Sequence, residues 1–288
     1  MSTGLFEPLR IGNVTLNHRV VMAPLTRLRA DEQHRASVPG KLIIAEVALA
    51  SAAAGGVPHA PGLFTDPQTQ AWKMITDAVR AKGSHIYCQL IALGPRKQIQ
   101  SFIRDFATTA KNAIAAGFDG VEVHGASGYL GRSVENRARF GVEFAKALVD
   151  AVGADRVGFR ISPWNTWKGM KMADPVPQFL HLVRRLREPG LAYLHVIESR
   201  VINKVDCEKS EEIKSFLEVW GHGKPVLVAG GYKPENVRQA IEHDYKDYDV
   251  ARGIPLQKYD RDSFYTPMQC RGYADYPFSS EFRESFKN

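Results

Sequence analysis

Eight short, β-rich apolar runs recur along the chain, most of them followed by a helical pattern, and that alternation admits few folds. In order they are VVMAPLT (20–26), LIIAEVA (42–48), HIYCQLI (85–91), GVEVHGA (120–126), VGFRISP (157–163), YLHVIES (193–199), PVLVAGG (225–231) and DYDVA (247–251). Continuous apolar runs indicate strands buried on both faces, as in a parallel sheet covered by helices. Helical stretches lie at 69–83, 99–117, 133–153 and 175–190; the first, second and fourth end near a glycine, where a C-cap is expected. Eight such β units in 288 residues predict an α/β fold, a TIM-type (β/α)8 barrel forming a single domain over 1–288. An open Rossmann sheet would carry GxGxxG after an early strand, and none is present.

A barrel of this kind places its chemistry at the C-terminal ends of its strands. There the sequence puts Thr26, Glu46, Gln89, His124, Arg160, Glu198 and the pair Gly230–Gly231. Polar residues at the tips of apolar strands are hard to explain as core filling. Arg160 in such a run needs an anionic ligand or a carboxylate partner, and Glu46 is a candidate for the second role.

Other features narrow the function. Three scattered cysteines, Cys88, Cys207 and Cys270, form no CxxC, so neither a disulfide framework nor a metal site is expected and a reducing, cytoplasmic setting fits. The N-terminal residues lack the apolar core of a signal peptide. No apolar run approaches the roughly 20 residues that span a bilayer. Lys and Arg number 38 against 31 Asp and Glu, for a net charge of +7. The basic residues are dispersed, so a small anionic ligand is expected in preference to nucleic acid.

Nine motifs stand in a telling order: LFEPLRIGN, VMAPLTRLRA, RASVPGKLIIAE, CQL, FDGVEVHGASGYL, SVENRARF, GFRISPW, VLVAGGY and FYTPMQCRGYADYP. Together they resemble the old yellow enzyme family of flavin-dependent ene-reductases, its fungal branch above all, over nearly the whole chain. The resemblance implies FMN held without a covalent link at the top of the barrel. Ala23, Pro24, Leu25 and Thr26 match the segment beneath the isoalloxazine, with Thr26 placed to hydrogen-bond the ring. Gln89 matches the glutamine at the pyrimidine edge, and Arg160 the arginine near N1 and O2, where reduced flavin carries its negative charge. Gly230 and Gly231 would bring bare backbone amides to the phosphate.

The same resemblance assigns the chemistry. His124, with Ser127 three positions on, would hold the substrate carbonyl or nitro oxygen. Their hydrogen bonds draw electron density from the conjugated C=C, so that hydride from reduced flavin reaches the β-carbon. Tyr129 would protonate the α-carbon as general acid, and Tyr265 would close the pocket. The implied enzyme takes hydride from NADPH and reduces α,β-unsaturated aldehydes and ketones in a fungal natural-product pathway, as a monomer or homodimer.

Three departures from the family pattern matter. Ser127 stands where asparagine or histidine is usual, and serine has the shorter reach. Ile91 stands where tryptophan is common, which widens the pocket. Connections after the first, third, fourth and eighth runs are short, and the last leaves no room for a phosphate-gripping loop. Two alternatives follow: a loop-deleted, flavin-free barrel that binds without catalysing, or a family member that isomerises. Retention of Tyr129 favours reduction.

Overall fold

The computed structural model describes residues 7–24, 41–54, 60–91, 99–125, 134–166, 171–199, 201–202, 205–206, 212–232, 236, 240 and 250–252. The chain opens with an antiparallel hairpin, β1 (Leu9–Ile11) and β2 (Val14–Leu16). Then come β3 (Val21–Met22), β4 (Leu42–Ile44), β5 (Ala48–Leu49), α1 (Asp66–Arg80), β6 (His85–Ile91) and α2 (Ile99–Ala115). After them follow β7 (Gly120–His124), α3 (Val134–Val152), β8 (Val157–Ile161), α4 (Val176–Arg187) and β9 (Tyr193–Ile197). The last described elements are β10 (Val201–Ile202), β11 (Val205–Asp206), α5 (Lys214–Trp220), β12 (Val226–Ala229) and β13 (Val250–Arg252).

Strands β3, β4, β6, β7, β8, β9, β12 and β13 pair in that order, every pair parallel. β13 returns against β3, so the sheet curls into a nearly closed barrel, as the eight apolar runs predict. Helix α1 starts three residues before the predicted stretch because Thr65 caps it. Its hydroxyl accepts from the Gln68 amide at 3.4 Å, while the Gln68 side chain accepts from the Thr65 amide at 3.1 Å, a reciprocal capping box.

Successive strand residues point alternately outward and inward, and each set builds its own core. Outward residues such as Val121, Val123, Phe159 and Ile161 pack under Phe102, Phe106, Leu148 and Val183 of the helical layer. Inward, Leu42, Ile44, Tyr87, Tyr193 and Leu227 pack on Leu9, Ile11, Val14 and Leu16 of the hairpin. The hairpin turn is tied to the N-terminal ends of two barrel strands: the Asn13 amide donates to the Asp155 carbonyl at 3.2 Å and its side chain to that of Asp119 at 3.2 Å. The bottom of the barrel is therefore plugged, and a ligand has to enter at the C-terminal mouth.

Two glycines make room for the tyrosines on the barrel axis, whose ring centroids lie 5.7 Å apart. A Cβ on Gly120 would come within 2.5 Å of the Tyr87 ring, and one on Gly158 within 2.1 Å of the Tyr193 ring. Because both rings are fully buried, they cannot step aside without displacing neighbours. Gly158→Ala is accordingly expected to lose about 1–3 kcal/mol by overpacking. Urea denaturation checks this, and an unchanged midpoint would mean that the Tyr193 ring has space to move.

Candidate active site at the barrel mouth

Above the tyrosines, toward the mouth, the inward residues turn polar. Gln89 on β6 and Glu122 on β7 are register partners across adjacent strands, and the Gln89 Nε2 donates to Glu122 Oε1 at 2.6 Å. Glu122 Oε2 accepts from the Tyr193 hydroxyl at 3.0 Å and from His195 Nδ1 at 2.8 Å, both from β9. Three donors thus converge on one carboxylate that is itself 0% exposed. Gly158, the register partner of Glu122 on β8, leaves the Tyr193 ring the room it needs to reach it.

One step nearer the mouth stand Ile91, His124 and Arg160. His124 and Arg160 are register partners across β7 and β8, and Arg160 is also the register partner of His195. Burial alone would raise the Glu122 carboxyl. His195, Arg160 and the Gln89 hydrogen bond outweigh it and hold the group below the ordinary carboxylate value, so it is ionised at neutral pH. Burial, with Arg160 adding to it, lowers His195 against the pull of Glu122; the neutral ring then keeps its proton on Nδ1, the nitrogen that faces the carboxylate. Burial also lowers Arg160, Glu122 opposing, but a guanidinium stays cationic at pH 7.

His124 is pushed down to about 4, first by burial and then by the Arg160 charge beside it. It is therefore a neutral imidazole at working pH, able to donate one hydrogen bond without presenting a charge. The linkage sign follows. Below about pH 6.5 the unfolded chain binds a proton at His124 that the folded chain refuses until about pH 4, so stability falls as pH drops through that window. His124→Gln is expected to flatten that slope and leave the shares due to the other shifted histidines, His18 and His195 in the same direction and His85 against them. Urea midpoints between pH 4.5 and 7 measure it, and a slope equal to that of the parent would show that His124 protonates freely in the fold.

The structure brings Gln89, Ile91, His124 and Arg160 to one end of the barrel. Ala23 and Pro24 directly follow β3 at the same end. Gly230 and Gly231 directly follow β12 with φ of 120° and 65°, conformations that side chains resist. The Asn236 side chain donates to the Gly231 carbonyl at 3.1 Å. Leu25, Thr26, Ser127, Tyr129 and Tyr265 lie outside the described residues. Glu122 is a carboxylate that acts on Arg160 through its charge. Sequence reasoning passes over Glu122, Tyr193 and His195. The signal that finds them is parity: Glu122 sits two residues before His124, on the same inward face of one strand.

The donor set suits a flavin ring. The buried Nε of Arg160 has no hydrogen-bond partner among the described residues, an arrangement that asks for an acceptor or an anion beyond them. Gln89 spends one N–H on Glu122 and retains a second N–H and a carbonyl oxygen, which matches the mixed donors and acceptors of a pyrimidine edge. Among the described residues no group of His, Cys, Asp and Glu could hold a metal ion, and no helix is long and apolar enough to cross a membrane.

Comparison with known proteins bears on the same site. The sequence profile of the NADH:flavin oxidoreductase / NADH oxidase family matches residues 4–98 and 95–249. The chain is 40% identical over 365 residues to a chanoclavine-I aldehyde reductase of Penicillium roqueforti, covering 99% of each. It is 39% identical over 368 residues to an NADP-dependent oxidoreductase of Aspergillus flavus, covering 98% of each. A relative from Epichloe festucae var. lolii, named "Probable inactive reductase", is 37% identical over 369 residues, covering 98% of this chain and 97% of its own. Alignments of that length against 288 residues, matched nearly end to end, put the difference in internal segments, in keeping with the short connections. Among solved structures, the old yellow enzyme homologue of Zymomonas mobilis superposes with a TM-score of 0.81 at 25% identity, covering 96% of this chain and 99% of that one. The plugged barrel, the donor set at its mouth and these matches lead to one conclusion: the chain belongs to the NADH:flavin oxidoreductase / NADH oxidase family, within its old yellow enzyme branch.

Proposed function

We propose that this chain is an FMN-dependent oxidoreductase that draws electrons from NADPH and reduces the C=C of α,β-unsaturated aldehydes and ketones. The observation that carries the reading is the juxtaposition of a neutral imidazole, His124, with the half-buried guanidinium of Arg160 at the C-terminal end of a plugged barrel. Bound FMN would supply the hydride. Arg160 and Gln89 would hold the pyrimidine edge, Ala23 to Thr26 would lie beneath the ring, and the amides of Gly230 and Gly231 would take the phosphate. His124 and Ser127 would donate to the substrate oxygen, and Tyr129 would deliver the proton to carbon. Ile91 and Tyr265 would shape the pocket, which NADPH and substrate occupy in turn.

An aldehyde is the substrate class that the name of the Penicillium roqueforti relative supports, and we place it in a fungal natural-product pathway. The 288 residues would act as one barrel domain in the cytoplasm, as monomer or homodimer. A second reading, a barrel that no longer catalyses, draws on the relative named inactive and on the missing internal segments. One experiment separates the two. The purified protein is examined for visible flavin absorbance, reduced anaerobically with NADPH, and mixed with cyclohexenone. Bleaching by NADPH and recovery of the yellow colour on adding the enone are expected; a protein that takes up no FMN, or whose reduced flavin ignores enones and enals, defeats the proposal.

A further inference from the structure

The reduction just described makes no direct use of Glu122, yet the protein buries its carboxylate completely at the centre of the barrel. A charge so placed is costly unless donors surround it. Gln89, Tyr193 and His195 provide them. A Gln–Leu pair at these positions would pack with less desolvation, so the carboxylate calls for a role beyond filling space. Its neighbours suggest one. Gln89 and Arg160 are the two side chains that the flavoprotein reading assigns to the pyrimidine edge, and Glu122 acts on both: on Gln89 through a hydrogen bond of 2.6 Å, and on Arg160 through its charge.

A primary amide has nearly the same shape in either of its two flipped orientations, so hydrogen bonds decide which end faces where. An ionised carboxylate only accepts. Facing Glu122, Gln89 must present its nitrogen, and its carbonyl oxygen is thereby directed away from the carboxylate. The same negative charge offsets part of the Arg160 positive charge. Gln89 and Glu122 are buried and Arg160 half-buried, so both effects are felt more strongly than they would be in water.

We propose that Glu122 is a positioning residue of the flavin site: it fixes the donor–acceptor sense of Gln89 and sets the net charge presented by Arg160, and through them governs FMN affinity and the flavin reduction potential. This inference rests on the flavoprotein reading above. Glutamine at position 122 can donate as well as accept, so it no longer dictates the sense of Gln89, and it removes the negative charge that opposes Arg160.

The test measures FMN binding to apoprotein by fluorescence quenching, and the midpoint potential of the holoprotein by dye equilibration. Glu122→Gln is expected to weaken FMN binding about tenfold, on the scale of one hydrogen bond to a charged group, and to move the potential in the positive direction, since loss of a negative charge favours the anionic reduced ring. In a Gln89→Ala background the affinity effect of Glu122→Gln is expected to shrink, because the amide it orients is gone. Tyr193→Phe keeps the ring and strips one donor from the carboxylate. It is expected to move the potential in the opposite, negative direction, and it decides the matter if Glu122→Gln does not fold. A merely structural role would lower the melting temperature while leaving the potential in place. Unchanged potentials in the two single variants, or shifts of the same sign, overturn the positioning role alone. A parent protein that takes up no FMN overturns the flavoprotein reading, and this inference with it.

Discussion

Replacing His124 with alanine is expected to slow reoxidation of the reduced enzyme by cyclohexenone by about 10²–10³, the usual effect of removing one donor to a developing oxyanion. The proposed task rests on the placement of the imidazole. It ends β7 at the mouth of the barrel, beside Arg160 on β8. Held neutral by burial and by the Arg160 charge, it offers a hydrogen bond whose strength does not change with pH across the neutral range. Phenolic ligands, which mimic the enolate oxygen, are expected to bind more weakly to the same variant. FMN uptake is expected to persist, because Gln89, Arg160 and the Gly230–Gly231 turn lie on other strands or past their ends. Stopped-flow reoxidation gives the rate directly. If simple enones turn over as before, the substrate oxygen is held elsewhere and His124 is a structural residue.

The barrel was legible because its signal is distributed. Seven of the eight apolar runs contain a strand of the barrel path, the eighth overlaps β13 at Val250 and Ala251, and the run at 85–91 coincides with β6 from His85 to Ile91. An all-apolar strand needs cover on both sides, and the two cores supply it. The helix ends at Gly83, Gly117 and Gly190 were legible for a local reason, each having positive φ. The hairpin of β1 and β2 escaped notice because three-residue strands are too short to show a period. Helix α5 has seven residues, barely two turns, and escaped for the same reason. In the site, His124 and Arg160 announced themselves as polar tips on apolar strands. Glu122 and His195 did not, because each lies inside its run with apolar residues on either side, and only the three-dimensional convergence of β6, β7 and β9 shows that they share one charge.

Tyr129→Phe is expected to separate the two halves of the catalytic cycle. Reduction of the flavin by NADPH transfers hydride alone and requires no proton delivered to carbon, so its rate should stay close to that of the parent. Saturation of the alkene does require that proton at the α-carbon, and the HGASGYL motif puts Tyr129 five residues past His124 in the connection that leaves β7. Loss of a positioned general acid typically costs about 10²–10⁴, and the alkene half-reaction should slow within that range. Phenylalanine preserves the ring, so FMN content and visible spectrum should not change, which distinguishes a lost proton from a collapsed pocket. Two stopped-flow traces, one for each half-reaction, make the measurement. Equal slowing of both would assign Tyr129 to flavin or nicotinamide binding, and an unaffected alkene step would mean that solvent or another residue supplies the proton.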